Sequence, residues 1–128
     1  DVATAYAIDR KQFGVPIAEH QFVQGMLAES QAELLAARHL VRATADTYDR
    51  EGQAVIMASS SKFFASEMAF RVADRALQIH GGAGYMAEYP IERLFRDARL
   101  LRIYEGTSQI QQIIIARELA KAAKAGRL

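Results

Sequence analysis

The stretch "AVIMASSSKFFASEMAFRVADRALQIHGG", Ala54 to Gly82, decides the fold class. Ile56, Phe63, Phe70 and Leu77 recur in it every seven residues. That spacing puts an apolar stripe along one side of a bundle helix. Gly81 ends the pattern as the C-cap, because glycine takes the left-handed conformation that stops a helix. The helix is expected from about Ala54 to His80. Upstream, Leu27, Leu34, Val41 and Tyr48 repeat at the same interval, with Val23 and Ala37 between them. They predict a second long helix over about Ala18 to Arg50, closed by Gly52 at C′. Downstream, "PIERLFRDARLLRIY" reads as a loop with a short helical piece. A last helix then runs from about Ser108 to Lys124, and Ser108 with Gln111 forms the S-x-x-Q pattern of a capping box.

The chain begins "DVATAYAIDR", with Val2, Ala5 and Tyr6 on one helical face and no cap before them. This first helix, about Asp1 to Gln12, stops at "FGVP", where Gly14 and Pro16 forbid continuation. The opening reads as the middle of a helix, so a piece of a longer protein is expected. No period-2 run is long enough for a strand. The expected fold is all-α, an antiparallel up-and-down four-helix bundle with a truncated first helix, one domain over 1–128.

The formal net charge is +1 and no Lys/Arg block occurs, which argues against nucleic acid or an anionic membrane as the main partner. With no cysteine there is neither a disulfide framework nor a thiolate metal site. No apolar run approaches the ~18 residues of a membrane span, and the opening residues are not expected to be a signal peptide. A carboxylate-bridged metal bundle needs Glu-x-x-His pairs. His20, His39 and His80 all lack the glutamate, so no metal is expected. "GAGYMA", Gly82 to Ala87, matches a dinucleotide fingerprint, but a helix precedes it where a strand is required. A glycine-rich helix stop explains it. Arg96 and Asp97 are expected to form ion pairs holding their loop to the bundle.

"RIYEGTSQIQ", Arg102 to Gln111, is less routine. An acid before a helix N-terminus is stabilised by the dipole, which accounts for Glu105 without any function. Two features favour a site. Gly106 lets the backbone approach a ligand, and Thr107, Ser108 and Gln109 add donors beside the free N–H groups of the helix start.

Taken together, "DRKQFGVPIAEHQ" (Asp9–Gln21), "QIHGGAGY" (Gln78–Tyr85), "YPIERLFRDAR" (Tyr89–Arg99) and "IYEGTSQIQ" (Ile103–Gln111) resemble the C-terminal helical domain of the acyl-CoA dehydrogenases, over essentially the whole chain. The resemblance implies an enzyme that oxidises acyl-CoA thioesters to trans-2-enoyl-CoA with FAD and passes electrons to an electron-transfer flavoprotein. It implies preceding N-terminal helical and middle β domains, and a homo-oligomer, the tetramer of the family. The compartment would be the cytoplasm in a bacterium or the mitochondrial matrix in a eukaryote. Matched position by position, it implies Glu105 as catalytic base, with Tyr104 and Gly106 lining the acyl site. Arg10, Gln12 and Phe13 would reach a neighbouring subunit's FAD. His20 and Gln21 would lie near FAD, and Gln78, Gly81 and Gly82 would touch its adenine end from another subunit. Thr107 and Gln109 would make further flavin contacts. An acyl-CoA oxidase and a non-enzymatic helical interaction module stay open as alternatives; Glu105, Gly106 and Thr107 speak against the module.

Overall fold

The computed structural model of the chain describes residues 1–127; Leu128, the last residue of the expected domain, lies outside the described residues. Among the described residues five α-helices form: α1 (Val2–Asp9), α2 (Gln21–Glu51), α3 (Val55–His80), α4 (Ile91–Leu100) and α5 (Ser108–Lys124). The fold is all-α, up and down, with a short first helix. α3 lies at its centre and packs against each of the other four helices.

The helix stops follow the glycines. Gly52 ends α2 at φ +68° and donates its N–H to the Tyr48 carbonyl, and Gly81 ends α3 at φ +58°. α1 stops earlier than expected, at Asp9. Lys11–Gln12 (β1) and Val15–Pro16 (β2) pair antiparallel, Gln12 opposite Val15. A two-residue turn joins them, with Phe13 at φ +53° and Gly14 at φ +86°. Positive φ at both central positions is the turn that matches strand twist in a tight hairpin, and it draws residues 11 and 12 out of the helix.

The core is a close approach of α1 to the end of α3. Ala3, Ala7, Ile17 and Ile79 are buried together, flanked by Tyr6, Val23, Met26, Leu27 and Ala76. Alanines at positions 3 and 7 let α1 lie near its partner, so the buried face is Ala3–Tyr6–Ala7. Val2 and Ala5, expected on it, are exposed.

The α2 stripe holds at Leu27 and Leu34 but not beyond. Val41 and Tyr48 are exposed, whereas Ala37, Leu40, Thr44 and Thr47 turn inward. The Thr44 hydroxyl meets Ser61 Oγ at 2.5 Å and the Met57 carbonyl at 3.3 Å. The far half of this interface is therefore sealed by small hydroxyls rather than by a continued apolar seam. Across the near half, Glu33 accepts from Arg75 and Arg71. The Arg75 guanidinium holds the Glu33 carboxyl below its usual range, against the opposing effect of burial. Arg96 does not tie its segment to the bundle: it pairs with Glu92 along α4, on the surface. Exposed pairs of that kind contribute ~0–1 kcal/mol.

The accessible surface is 8663 Å², against roughly 6,800 Å² for a compact monomer of this size. Much of the surplus is apolar: Leu35, Val41, Tyr48, Val55, Ile110, Ile113 and Leu119 are exposed. Among the described residues no helix is long and apolar enough to cross a membrane.

Candidate functional site

Two regions gather the residues singled out in the sequence. The first is a cleft of about 520 Å³ between the α1–α2 link and the end of α3. Arg10, Gln12, Phe13, His20, Gly81 and Gly82 all line it. The hairpin brings this about. The Ile17 N–H donates to the Arg10 carbonyl at 2.8 Å, which folds the link back on itself. His20 Nε2 lies 3.3 Å from the Gln12 carbonyl, and its ring meets Phe13 edge to face. Phe13 is 93% exposed. The hairpin turn sets its positive φ, but the ring, apart from its edge contact with His20, is left in solvent.

Opposite, the Gly81–Tyr85 turn presents glycine backbone, with open space where a Cβ at Gly81 or Gly82 would stand. Sequence reasoning missed three aromatic wall residues. His80 is buried, stacks on Tyr6 at 4.2 Å, and meets Tyr89 edge to face. Its Nδ1 lies 2.7 Å from the Ala76 carbonyl. The one available signal was a histidine and a tyrosine bracketing the glycine turn. Gln21 and Gln78 are exposed and stand outside the cleft wall.

The second region is the turn at the head of α5, which holds Tyr104, Glu105, Gly106, Thr107 and Gln109. Glu105 has φ +53° and Gly106 φ +87°. A glutamate in the left-handed region persists only when its surroundings over-determine it. They do. Gln111 Nε2 donates to the Glu105 carbonyl at 3.3 Å, and Lys62 Nζ donates to the Gly106 carbonyl at 2.7 Å. The Ser108 N–H closes the loop onto the Arg102 carbonyl at 3.1 Å. The Glu105 side chain is exposed, and its N–H donates to no backbone carbonyl among the described residues.

The helix cap differs from the expected box. Thr107 is the N-cap and accepts from the Ile110 N–H at 3.3 Å. Ser108 is buried instead, donating to Glu67 at 2.6 Å, and Gln111 serves Glu105 rather than a capping box. Arg102 also donates to Glu67, at 2.7 Å. Burial raises the Glu67 carboxyl, but the Ser108 hydroxyl and the Arg102 guanidinium outweigh it and hold it below its usual range.

A depressed folded value has a definite sign. The unfolded glutamate titrates near ~4.3, so the Glu67 contribution is full above that pH and lost as pH falls through the folded value. Glu67→Gln is expected to lower stability at neutral pH by about 1–2 kcal/mol. The difference from the parent should shrink at acid pH. Urea denaturation between neutral and acid pH measures it; a pH-independent difference would contradict the assignment.

The sequence matches the family model described as "Acyl-CoA dehydrogenase, C-terminal domain" over residues 1–120. It is 44% identical over 123 residues to a cyclohexane-1-carbonyl-CoA dehydrogenase of Geobacter metallireducens, covering 96% of this chain and 32% of that protein. It is 46% identical over 121 residues to a subunit of the caffeyl-CoA reductase–Etf complex of Acetobacterium woodii, covering 94% and 32%. Among solved structures, butyryl-CoA dehydrogenase from Megasphaera elsdenii superposes with a TM-score of 0.89 at 37% identity, over 92% of this chain and 31% of that one. The chain spans about a third of the length of the curated relatives it matches.

Proposed function

The chain belongs to the acyl-CoA dehydrogenase family, and on that premise we propose that it is the C-terminal domain of a flavoenzyme that removes two hydrogens across Cα and Cβ of an acyl-CoA thioester. N-terminal helical and middle β domains would complete the enzyme. The observation that carries the reading is the Glu105 turn. It is anchored through the Glu105 and Gly106 carbonyls and leaves the Glu105 carboxylate exposed and its main-chain N–H without a backbone partner. A proton acceptor and a donor for a developing enolate oxygen would then come from one residue. Tyr104 and Gly106 flank the acyl chain in this reading.

The cleft fits the edge of FAD rather than the whole of it. It offers the Arg10 cation, glycine backbone at Gly81 and Gly82 that a phosphate or ring can approach, and the exposed Phe13 ring. Bound FAD supplies the hydride acceptor. Arg10, Gln12 and Phe13, with Gln78, Gly81 and Gly82, would hold its outer parts across a subunit boundary; His20, Gln21, Thr107 and Gln109 would lie near the flavin. The exposed apolar surface supports a homo-oligomer, a tetramer in our reading, and contacts with the other two domains. An electron-transfer flavoprotein is the proposed acceptor. The relative that is a subunit of a reductase–Etf complex supports it. That relative also favours a second reading, in which the same site runs toward reduction of an enoyl-CoA.

Anaerobic titration of the full-length protein tests this. Saturated acyl-CoA is expected to bleach the flavin, and electron-transfer flavoprotein to reoxidise it faster than oxygen does. Bleaching by no acyl-CoA would reject the dehydrogenase. Rapid reoxidation by oxygen would identify an oxidase. The 128-residue chain alone is expected to support no turnover.

A further inference from the structure

We infer that Lys62 is a positioning residue for Glu105, an inference that rests on Glu105 being the base. Lys62 lies on α3, far from the turn in sequence, and no sequence motif drew attention to it. Its Nζ donates to the Gly106 carbonyl at 2.7 Å and to the Leu101 carbonyl at 2.9 Å. Those carbonyls stand at the two ends of the segment that carries Tyr104 and Glu105. One ammonium therefore joins both ends to each other and to the central helix.

The chemistry suits that task. An ammonium has three donors and no acceptor, and charge-assisted bonds of this length are the strong kind. Among the described residues Lys62 has no carboxylate partner. Its half-buried charge is spent wholly on main-chain oxygens.

Attachment of the segment to α3 does not require it. Glu67, five residues further along α3, already grips Arg102 and Ser108 at the base of the loop. Lys62 instead bonds the main chain, at Leu101 and Gly106. It orients the peptide after Gly106 at 2.7 Å, while Gln111 orients the one after Glu105 and reaches the Gly106 carbonyl only at 3.5 Å. Two adjacent residues at positive φ, +53° and +87°, are held by these two side chains. Without Lys62, the turn keeps its attachment and loses its set.

The test uses the full-length holoenzyme with Lys62→Met, Lys62→Arg and Glu105→Gln side by side. Flavin content, melting temperature, acyl-CoA Kd and the limiting rate of flavin reduction are read for each. Lys62→Met is expected to keep flavin and acyl-CoA affinity while the limiting rate falls roughly 10- to 100-fold, the effect of an ångström-scale misplacement. Lys62→Arg, which keeps a cation within reach of the same carbonyls, should recover most of that loss. A Lys62→Met rate within about twofold of the parent, with Glu105→Gln inactive, overturns the positioning role and leaves the base in place. A rate loss that only tracks lost flavin or lost fold, unrelieved by Lys62→Arg, also overturns it. Normal reduction in Glu105→Gln removes the base reading itself, and the role of Lys62 with it.

Discussion

In the full-length flavoprotein, Glu105→Gln is expected to slow substrate-driven flavin reduction by at least ~10²-fold, the lower end of what a positioned base contributes. The substitution keeps the size of the side chain and the main-chain N–H. Both carbonyl anchors, from Gln111 and Lys62, are indifferent to the side chain at 105. Glutamine meets the same left-handed backbone as glutamate, so the change adds little strain. The loss of a carboxylate before α5 removes at most ~1 kcal/mol of dipole stabilisation. Fold, flavin content and acyl-CoA binding should therefore survive while proton removal from Cα does not. Stopped-flow reduction under saturating acyl-CoA measures the rate directly. A near-normal rate would place the base on another helix and return Glu105 to the role of a helix-start acid.

Gly106→Ala is expected to be nearly as damaging, by a different route. Gly106 has φ +87°, where any L side chain is strained, and a Cβ there would stand 2.7 Å from Gln111 Nε2. The amide could swing aside, but Gln111 is buried and holds the Glu105 carbonyl. Moving it releases one of the two anchors of the turn that carries the proposed base. Backbone strain of this kind amounts to ~1–3 kcal/mol, so the melting temperature should drop by a few degrees. The reduction rate should drop further than stability implies, roughly 10- to 100-fold, because the strain falls on the turn that carries the proposed base. Comparing melting temperature with limiting rate separates the two. Loss of stability with an unchanged rate would show that the turn tolerates another path.

The sequence was readable where one residue type settles the local geometry. Gly52 and Gly81 stop α2 and α3 because only glycine takes their backbone angles cheaply, and α5 begins at Ser108 as its hydroxyl-rich start implied. It was ambiguous where two neighbours offered the same group. Thr107 and Ser108 both carry a cap hydroxyl, and the choice was made by Glu67 on α3, which takes the Ser108 hydroxyl. The hairpin at residues 11–16 escaped because two-residue strands show no alternation, and because its turn uses Phe-Gly rather than the usual Asn-Gly. The far half of the α2 seam escaped because its contacts are hydroxyls, Thr44 on Ser61, which no apolar repeat reports.

The candidate residues divided along the same line. Arg10, Gln12, Phe13 and His20 are close in sequence, and the hairpin sets their side of the cleft. Tyr6 and Tyr89 joined them only through the packing of distant segments around His80. Likewise the ion pair that holds the loop, Arg102 with Glu67, links positions 35 apart, where the local reading chose Arg96 and Asp97.

Lys62 and Glu67 share one helix, α3, and between them they hold both ends of the Glu105 loop, Lys62 by its main chain and Glu67 by the side chains of Arg102 and Ser108. The loop therefore cannot open by fraying, as most exposed segments do. To release it, bonds to the central helix must break at both points together. Its opening is therefore expected to need more free energy than that of an exposed segment held at one point, which hydrogen exchange at the turn would read.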